Sequence, residues 1–260
     1  MNLFWLGFII LILLGAVWAI IYYATYAVRS QILGATVWRG ARGEMNAVAL
    51  TFDDGPSPDT IDLLDVLRES NVSAAFFLIG SAVEKYPEIA RRIVRENHEI
   101  GNHSYSHPIY LFCSAARTQK ELAITQQIIE QTINVKPTVA RPPCGVRTPA
   151  YFAATKRLGL QTIQWTVAGF DWENRSARQI ANAVLKDVAG GSIILLHDGD
   201  SEGKRDRRQT VAAVPLILSG LKEKGLRVVP LKQLLENEKP IDYLADAPDL
   251  PQTKRAVQKI

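Results

Sequence analysis

Cysteine and histidine are the scarce residues of this 260-residue chain, with only Cys113 and Cys144 of the first and four of the second. Two cysteines cannot build a disulfide framework, and their spacing matches no thiolate zinc site. One bridge between them is allowed but not implied, so cysteine usage leaves the redox compartment open. No run of lysine and arginine is long enough to mark a nucleic-acid surface, and the net charge is only +4. The densest basic cluster, Lys204-Arg205-Asp206-Arg207-Arg208, reads as a solvated loop. No internal repeat or low-complexity tract stands out, and nothing implies an obligate protein partner. Charge of either sign is missing altogether from Met1 to Val28.

That last absence predicts a transmembrane anchor over residues 1–28. At about 1.5 Å per residue a helix of about 25 residues spans roughly 37 Å, enough to cross a bilayer. Trp5, Trp18, Tyr22 and Tyr23 suit the two interfaces. The rival is a cleaved signal peptide, but no basic residue precedes the run, and Val17-Trp18-Ala19 and Thr25-Tyr26-Ala27 are only passable cleavage sites. Arg29, Arg39 and Arg42 follow the span, so the positive-inside rule points the following domain toward the cytoplasm.

Residues 29–45 are expected as a linker, and residues 237–260, polar and rich in proline, as a tail without its own core. Between them short apolar runs alternate with helical patterns about seven times. Ala47–Phe52, Ala74–Ile79, Glu99–Asn102, Thr138–Arg141, Leu160–Trp165, Ser192–Leu196 and Leu226–Val229 read as strands. A helix opening at Pro58-Asp59-Thr60 should carry Ile61, Leu64 and Leu67 on one face; others are expected over 83–97, 115–134, 148–158, 176–189 and 210–224. Such alternation argues for an α/β fold, a parallel sheet with helices outside, open or closed as a barrel.

In such folds the chemistry gathers at the C-terminal ends of the strands. Asp53-Asp54 follow the first strand, His103 and His107 the third; Arg141 ends the fourth, Asp171 lies shortly after Trp165, and His197 ends the strand 192–196. Two adjacent carboxylates repel, and a cation beside one of them compensates; Asp-Asp-Gly-Pro is by itself also a good turn signal. Two imidazoles four residues apart can meet one ion in a helix or a tight turn. With Asp54 they offer two nitrogens and one oxygen, leaving positions for water, as a catalytic site requires. Zinc suits that set, and cobalt, nickel or iron would be tolerated. Asp171 can hold the ring of His197 and raise its pKa, as a general acid needs. His98 reads as structural, and Arg141 either as a partner for Asp53 or as an ordinary strand-end charge.

These residues resemble a known family. Thr51-Phe52-Asp53-Asp54-Gly55-Pro56 and His103-Ser104-Tyr105-Ser106-His107 look like the first two motifs of the polysaccharide deacetylases of the NodB-homology type, carbohydrate esterase family 4. Arg141-Pro142-Pro143-Cys144-Gly145, Asp171-Trp172 and Leu195-Leu196-His197 resemble the remaining three. The resemblance runs over residues 46–236. It implies a distorted (β/α) barrel of about seven parallel strands and one divalent metal, Zn2+ by preference, on Asp54, His103 and His107. It also implies Asp53 as general base positioned by Arg141, and His197 as general acid tuned by Asp171. Trp172 and Leu195 would shape the substrate groove, and the backbone N–H of Cys144 would serve the oxyanion. The chain departs from the pattern at Cys144, where an aromatic residue is usual, and at Ala168, where an aspartate is frequent.

The function implied is removal of N-acetyl groups from N-acetylglucosamine-type polysaccharides: peptidoglycan, chitin-like chains or poly-N-acetylglucosamine. Alternatives are a deformylase or deacetylase of a lipid-linked sugar, an O-acetyl xylan esterase and, more distantly, a carbohydrate-binding pseudoenzyme. An acetylated glycan partner implies an extracytoplasmic domain on a single-pass anchor, against the charges that flank the span.

Overall fold

The computed structural model describes residues 3–40 and 46–236. The expected tail 237–260, the last part of the linker and Arg42 lie outside the described residues. Helix α1 (Leu3–Tyr26) comes first. The domain then runs β1 (Ala47–Asp53), α2 (Asp59–Glu69), β2 (Ala75–Leu78), α3 (Gly80–Lys85), α4 (Pro87–Arg95) and β3 (Glu99–Asn102). It continues with α5 (Ala115–Ile133), β4 (Val139–Ala140), α6 (Pro149–Leu158), β5 (Gln161–Thr162), β6 (Val167–Ala168) and α7 (Ala177–Asp187). β7 (Ile193–His197), α8 (Arg208–Glu223), β8 (Arg227–Val228) and α9 (Leu231–Glu236) complete it.

The strands form one curled, wholly parallel sheet in the order β5-β4-β3-β2-β1-β7-β6, with β8 beside the start of β1. Among the described residues β5 and β6 do not pair, so the strands form a distorted barrel open on one side. β1 is buried on both faces, as a central parallel strand must be. Its outward residues Val48, Leu50 and Phe52 pack with Leu64 and Leu67 of α2, Val184 of α7 and Ile217 of α8. Its inward residues Ala47 and Ala49 pack with Ala75, Phe77, Ile163 and Ile193 around the barrel axis.

This alternation decides where the polar strand ends point. Counting by two, Asp53 continues the inward row of Ala47 and Ala49, and His197 that of Ile193. Gly101 abuts Phe77, whose ring lies 2.3 Å from where a Cβ would stand, and His103 follows it two residues on. Arg141 follows Val139, which packs on the inner cluster. Asp53 and His197 are register partners, as are Leu78 with Asn102 and Asn102 with Ala140. Four polar side chains therefore meet at one level of the barrel mouth.

Four expectations need correction. The helix expected over 83–97 is two helices broken at Tyr86, because Pro87 takes the first position of α4, where its missing N–H is not needed. Ile61 is 42% exposed, and the buried face of α2 is Thr60, Leu63, Leu64 and Leu67. β6 and α9 were not anticipated: β6 is two residues long, too short for a period to register. Finally, residues 37–40 do more than connect. Val37 bridges Ile163 in parallel, donating its N–H to Thr162 O at 2.9 Å and accepting from Gln164 N at 2.7 Å. Arg39 bridges Ser192 and Gly40 donates to Gly191 O.

Because the Val37 N–H is committed, Val37→Pro is expected to cost about 1–3 kcal/mol. Ile32→Ser, at a position 59% exposed, should stay within about 0.5 kcal/mol. Urea unfolding of the two variants checks this; equal stabilities would mean that the segment is only a tether.

Candidate metal centre and active site

Asp54, His103 and His107 converge at the mouth of the sheet. Each offers one ligand atom, and the three atoms lie within 4.8 Å of one another. Asp54 Oδ1 is 3.3 Å from His103 Nε2 and 3.2 Å from His107 Nε2, yet it is buried without a hydrogen-bond donor. His103 Nδ1 lies 2.7 Å from the Arg141 carbonyl oxygen, which can only accept, so Nδ1 carries the proton. Burial would lower the His103 ring, but the Asp53 and Asp54 charges hold its pKa above the ordinary imidazole value, so the space between Nε2 and the carboxylates is one where a positive charge is favoured. Burial pushes His107 down to about 4 and keeps it neutral, although the Asp54 charge pulls upward. Burial would raise the Asp54 carboxyl, but the neighbouring His103, His107 and His197 hold it well below the usual carboxylate range. The donor set, two imidazole nitrogens and one carboxylate oxygen brought together at one point, fits a divalent ion.

Asp53 is compensated differently. Its Oδ1 accepts from Arg141 Nη1 at 2.7 Å, and the same nitrogen donates to Thr51 Oγ1 at 2.8 Å. Arg141 Nη2 donates to Gln164 O at 3.0 Å, and the guanidinium lies 4.1 Å from the Phe77 ring centroid. Arg141 is wholly buried, so Asp53 sits in a fixed ion pair that only a wholesale rearrangement could loosen. Its Oδ2 remains 3.8 Å from His103 Nε2.

His197 stands beside Asp53 in register and is held by Asp171. Asp171 Oδ1 is 2.8 Å from His197 Nδ1, and its Oδ2 accepts the His197 backbone N–H at 2.8 Å and Thr210 Oγ1 at 2.9 Å. Burial alone would lower the ring's pKa; the Asp171 carboxylate overrides it, with Asp54 and Asp53 adding to the effect, and the ring is pushed up to about 9. Arg207 Nη1 donates to the Asp171 carbonyl at 3.0 Å, fixing the loop that carries the carboxylate.

The loops between these groups are conformationally unusual. Asp54, Ser104, His107 and Cys144 all have positive φ, at 73°, 67°, 54° and 54°. Such backbone is costly and persists only where the surroundings over-determine it. Here a buried carboxylate does so: Glu121 of α5 accepts the backbone N–H of Tyr105 at 3.1 Å and of Ser106 at 2.8 Å, and the Ser106 hydroxyl at 2.8 Å. Asn102 Oδ1 accepts Ser104 N at 3.0 Å, and Ser104 Oγ accepts His107 N at 3.1 Å. Gly199 has no room for a side chain, since a Cβ there would lie 2.1 Å from Asp54 O.

Of the other expected site residues, Cys144 is exposed and free; Cys113, half-buried, is free as well. Partial burial, then the Asp54 and Asp53 charges, push the Cys144 thiol up. Trp172 meets the His197 ring edge-on at 5.5 Å between centroids, with Phe170 at 5.2 Å on its other side. Leu195 is buried in β7, two residues before His197 on the inward row. A cleft of about 740 Å³ opens beside Asp54 and is walled by Pro56, Ser57, Tyr86 and Lys204. His98 is structural, accepting Ala74 N at 3.1 Å. Glu121 and Thr210 went unrecognised in the sequence, Thr51 stood there only as part of the first motif, and Arg207, expected in a solvated loop, is instead buried with its guanidinium on the Gly199 and Asp171 carbonyls. Glu121 left a trace, a carboxylate beside Leu122 on the buried face of α5; Thr210 left none.

Residues 40–163 match a family model described as polysaccharide deacetylase. The chain is 37% identical over 205 residues to a peptidoglycan-N-acetylglucosamine deacetylase of Bacillus cereus, covering 78% of this chain and 93% of that one. It is 36% identical over 197 residues to a chitooligosaccharide deacetylase of a Bradyrhizobium species, covering 72% and 90% respectively. A crystal structure of a peptidoglycan N-acetylglucosamine deacetylase in complex with 4-naphthalen-1-yl-N-oxidanyl-benzamide matches with a TM-score of 0.73 at 36% identity, over 79% of this chain and 94% of that one.

Glu121→Ala removes three acceptor contacts from the His103–His107 loop and is expected to cost about 1.5–3 kcal/mol. Glu121→Gln keeps part of the acceptor capacity and should cost less. Urea denaturation curves of both proteins test the order; the reverse order would remove the carboxylate from the loop's support.

Proposed function

Because the chain belongs to the polysaccharide deacetylase family, we propose that it is an envelope hydrolase that removes N-acetyl groups from N-acetylglucosamine-type glycans. We propose Asp54, His103 and His107 as ligands of one divalent ion, with Zn2+ the best match to two imidazole nitrogens and a carboxylate oxygen. The observation that carries this reading is the donorless, buried Oδ1 of Asp54 facing two imidazole nitrogens, with a paired carboxylate and a paired imidazole close by.

A divalent ion at that point supplies Lewis acidity, polarising an amide carbonyl and making water easier to deprotonate. Asp53, ionised and aimed by Arg141, takes a proton from the attacking water. The backbone N–H of Cys144 donates to the oxyanion that develops on the carbonyl oxygen. His197, charged and held by Asp171, protonates the departing nitrogen as the C–N bond breaks, so that acetate and a free amino sugar leave. Trp172 and the neighbouring Phe170 offer aromatic faces to a sugar ring, and Leu195 backs the groove.

We further propose that α1 anchors the chain as a single span with the domain outside. Within its 23-residue apolar stretch an 18-residue window has a mean hydropathy of 2.7 and is exposed all round, which a helix tolerates in lipid. The peptidoglycan in the name of the Bacillus cereus relative is a cell-wall polymer, which supports a domain outside the membrane. Arg29 and Arg39, which argue for the other orientation, have a structural use, both lying over the Trp38 ring.

Asp54→Ala should lose bound metal and acetate release together, whereas Asp53→Asn should keep the metal and lose about 10²–10⁴-fold in turnover. Metal content and acetate release from an N-acetylglucosamine tetramer measure both, and a normal rate in Asp53→Asn would remove the base assignment. The acid works protonated, so activity should fall as pH rises through about 9. Asp171→Asn withdraws the charge that raises the ring and should move that alkaline limb about 1–3 units toward acid; an unmoved limb would mean another group sets it. Protease added to intact cells should degrade the domain, and survival until the membrane is breached would reverse its placement.

A further inference from the structure

Arg147 is wholly buried, and no carboxylate pairs with it among the described residues. Its hydrogen bonds go instead to the end of α1. The backbone N–H donates to Thr25 O at 3.1 Å, and Nη2 donates to Ala27 O at 2.5 Å and to Ala24 O at 3.5 Å. Nε and Nη1 have no hydrogen-bond partner. A buried cation is thus balanced by the carbonyl end of a helix, the negative pole of its dipole. Ala24 and Thr25 are correspondingly buried, while the rest of α1 stands exposed.

The chain that follows α1 offers no slack. Ser30 N donates to Ala27 O, Gln31 and Thr36 bond each other reciprocally, and Gly34 is pressed against the Phe152 ring. Val37, Arg39 and Gly40 then join the sheet. The domain is clamped to its helix rather than tethered by a flexible leash.

Cys144 precedes Arg147 by three residues, a span of about 11 Å at most. The 24 residues of α1 are about 36 Å long at about 1.5 Å each, a little more than the hydrocarbon thickness of about 30 Å. The last turn of α1 therefore lies at headgroup level, and the rim of the active site lies within about 11 Å of the residue that grips it.

We propose that Arg147 clamps the active site against the bilayer surface, so that the substrate is an acetylated glycan still carried on a membrane lipid rather than free polymer. This rests on the anchor and deacetylase readings above. The apolar side chains of Ile109, Leu111 and Phe112 are exposed around Tyr110, whose ring packs on Tyr151 in the first turn of α6, four residues after Arg147. They add an exposed apolar patch on the segment that packs against α6, the helix that begins two residues after Arg147.

The test uses the full chain in nanodiscs with Zn2+ and two probes, a polyprenyl-diphosphate-linked N-acetylglucosamine oligosaccharide in the same disc and a soluble N-acetylglucosamine tetramer. The wild type should favour the lipid-borne probe at least tenfold in kcat/KM for acetate release. Arg147→Ala should bring that preference within threefold while leaving the rate on the tetramer within twofold, and Arg147→Lys, which keeps a donor and the charge, should retain most of the preference. A wild type that treats both probes equally overturns the proposal without recourse to any variant, as does an Arg147→Ala protein with the preference intact. Extraction of the chain by alkaline carbonate would overturn the anchor reading and this proposal with it. Acetate release from neither probe would instead bring down the deacetylase reading.

Discussion

Two neighbouring carboxylates, both buried at the end of one strand, cannot coexist without two positive charges to answer them. Asp53 and Asp54 meet that demand in opposite ways. Asp53 stays in the strand's extended geometry and meets the permanent cation of Arg141, which is itself locked by Thr51, Gln164 and the Phe77 ring. Asp54 turns through a positive φ and meets two imidazole nitrogens that are acceptors in their neutral form. One carboxylate is thereby left as a fixed, paired anion, the other as an anion without a hydrogen-bond donor on its Oδ1. The division of labour follows from the single change of backbone direction between them.

The same economy appears on the opposite side of the mouth. Asp171 spends both oxygens on His197 and Thr210, so the imidazole is oriented and held charged by one group. Asp198, next in sequence to His197, has the contrary fate: burial pushes its carboxyl up to about 7, opposed by a hydrogen bond from Thr60. Two aspartates within a few ångströms of the same strand end differ because one faces a cation and the other faces Asp54 and Asp53. Behind these groups, Glu121, Asn102 and Ser104 hold the strained loop that carries His107, so the cost of its backbone is met by hydrogen bonds rather than by packing.

The domain and its N-terminal helix form one physical unit. The chain after α1 passes directly into the open side of the barrel, where Val37 and Arg39 bridge Ile163 and Ser192. A strap in that gap satisfies backbone groups that the missing β5–β6 pairing leaves without a partner strand. It also ties the barrel to α1, and Arg147 completes the tie from the active-site side.

Local patterns carried much of this into the sequence. Apolar runs that stop at Asp53-Asp54, His103, Arg141 and His197 disclosed the strands and their reactive ends, since a strand's phase and its terminus are written in consecutive residues. The contacts of Thr51, Thr210 and Arg207 were invisible because their partners lie 90, 39 and 36 residues away, and a charged neighbourhood makes the buried Arg207 read as solvated. The two-residue strand β6 lies below the length at which alternation registers, and the break at Tyr86 was hidden because Pro87 is as welcome at the start of a helix as it is harmful inside one. By itself, then, the sequence determined the alternating architecture, the apolar first helix and the identity of the reactive side chains, all properties of neighbours along the chain. Only the tertiary structure decided which carboxylate is paired and which is open, what supports the loop of His107, and how Arg147 joins the mouth to α1. Each of those depends on groups brought within hydrogen-bonding distance from remote parts of the chain, where burial makes an unanswered charge costly.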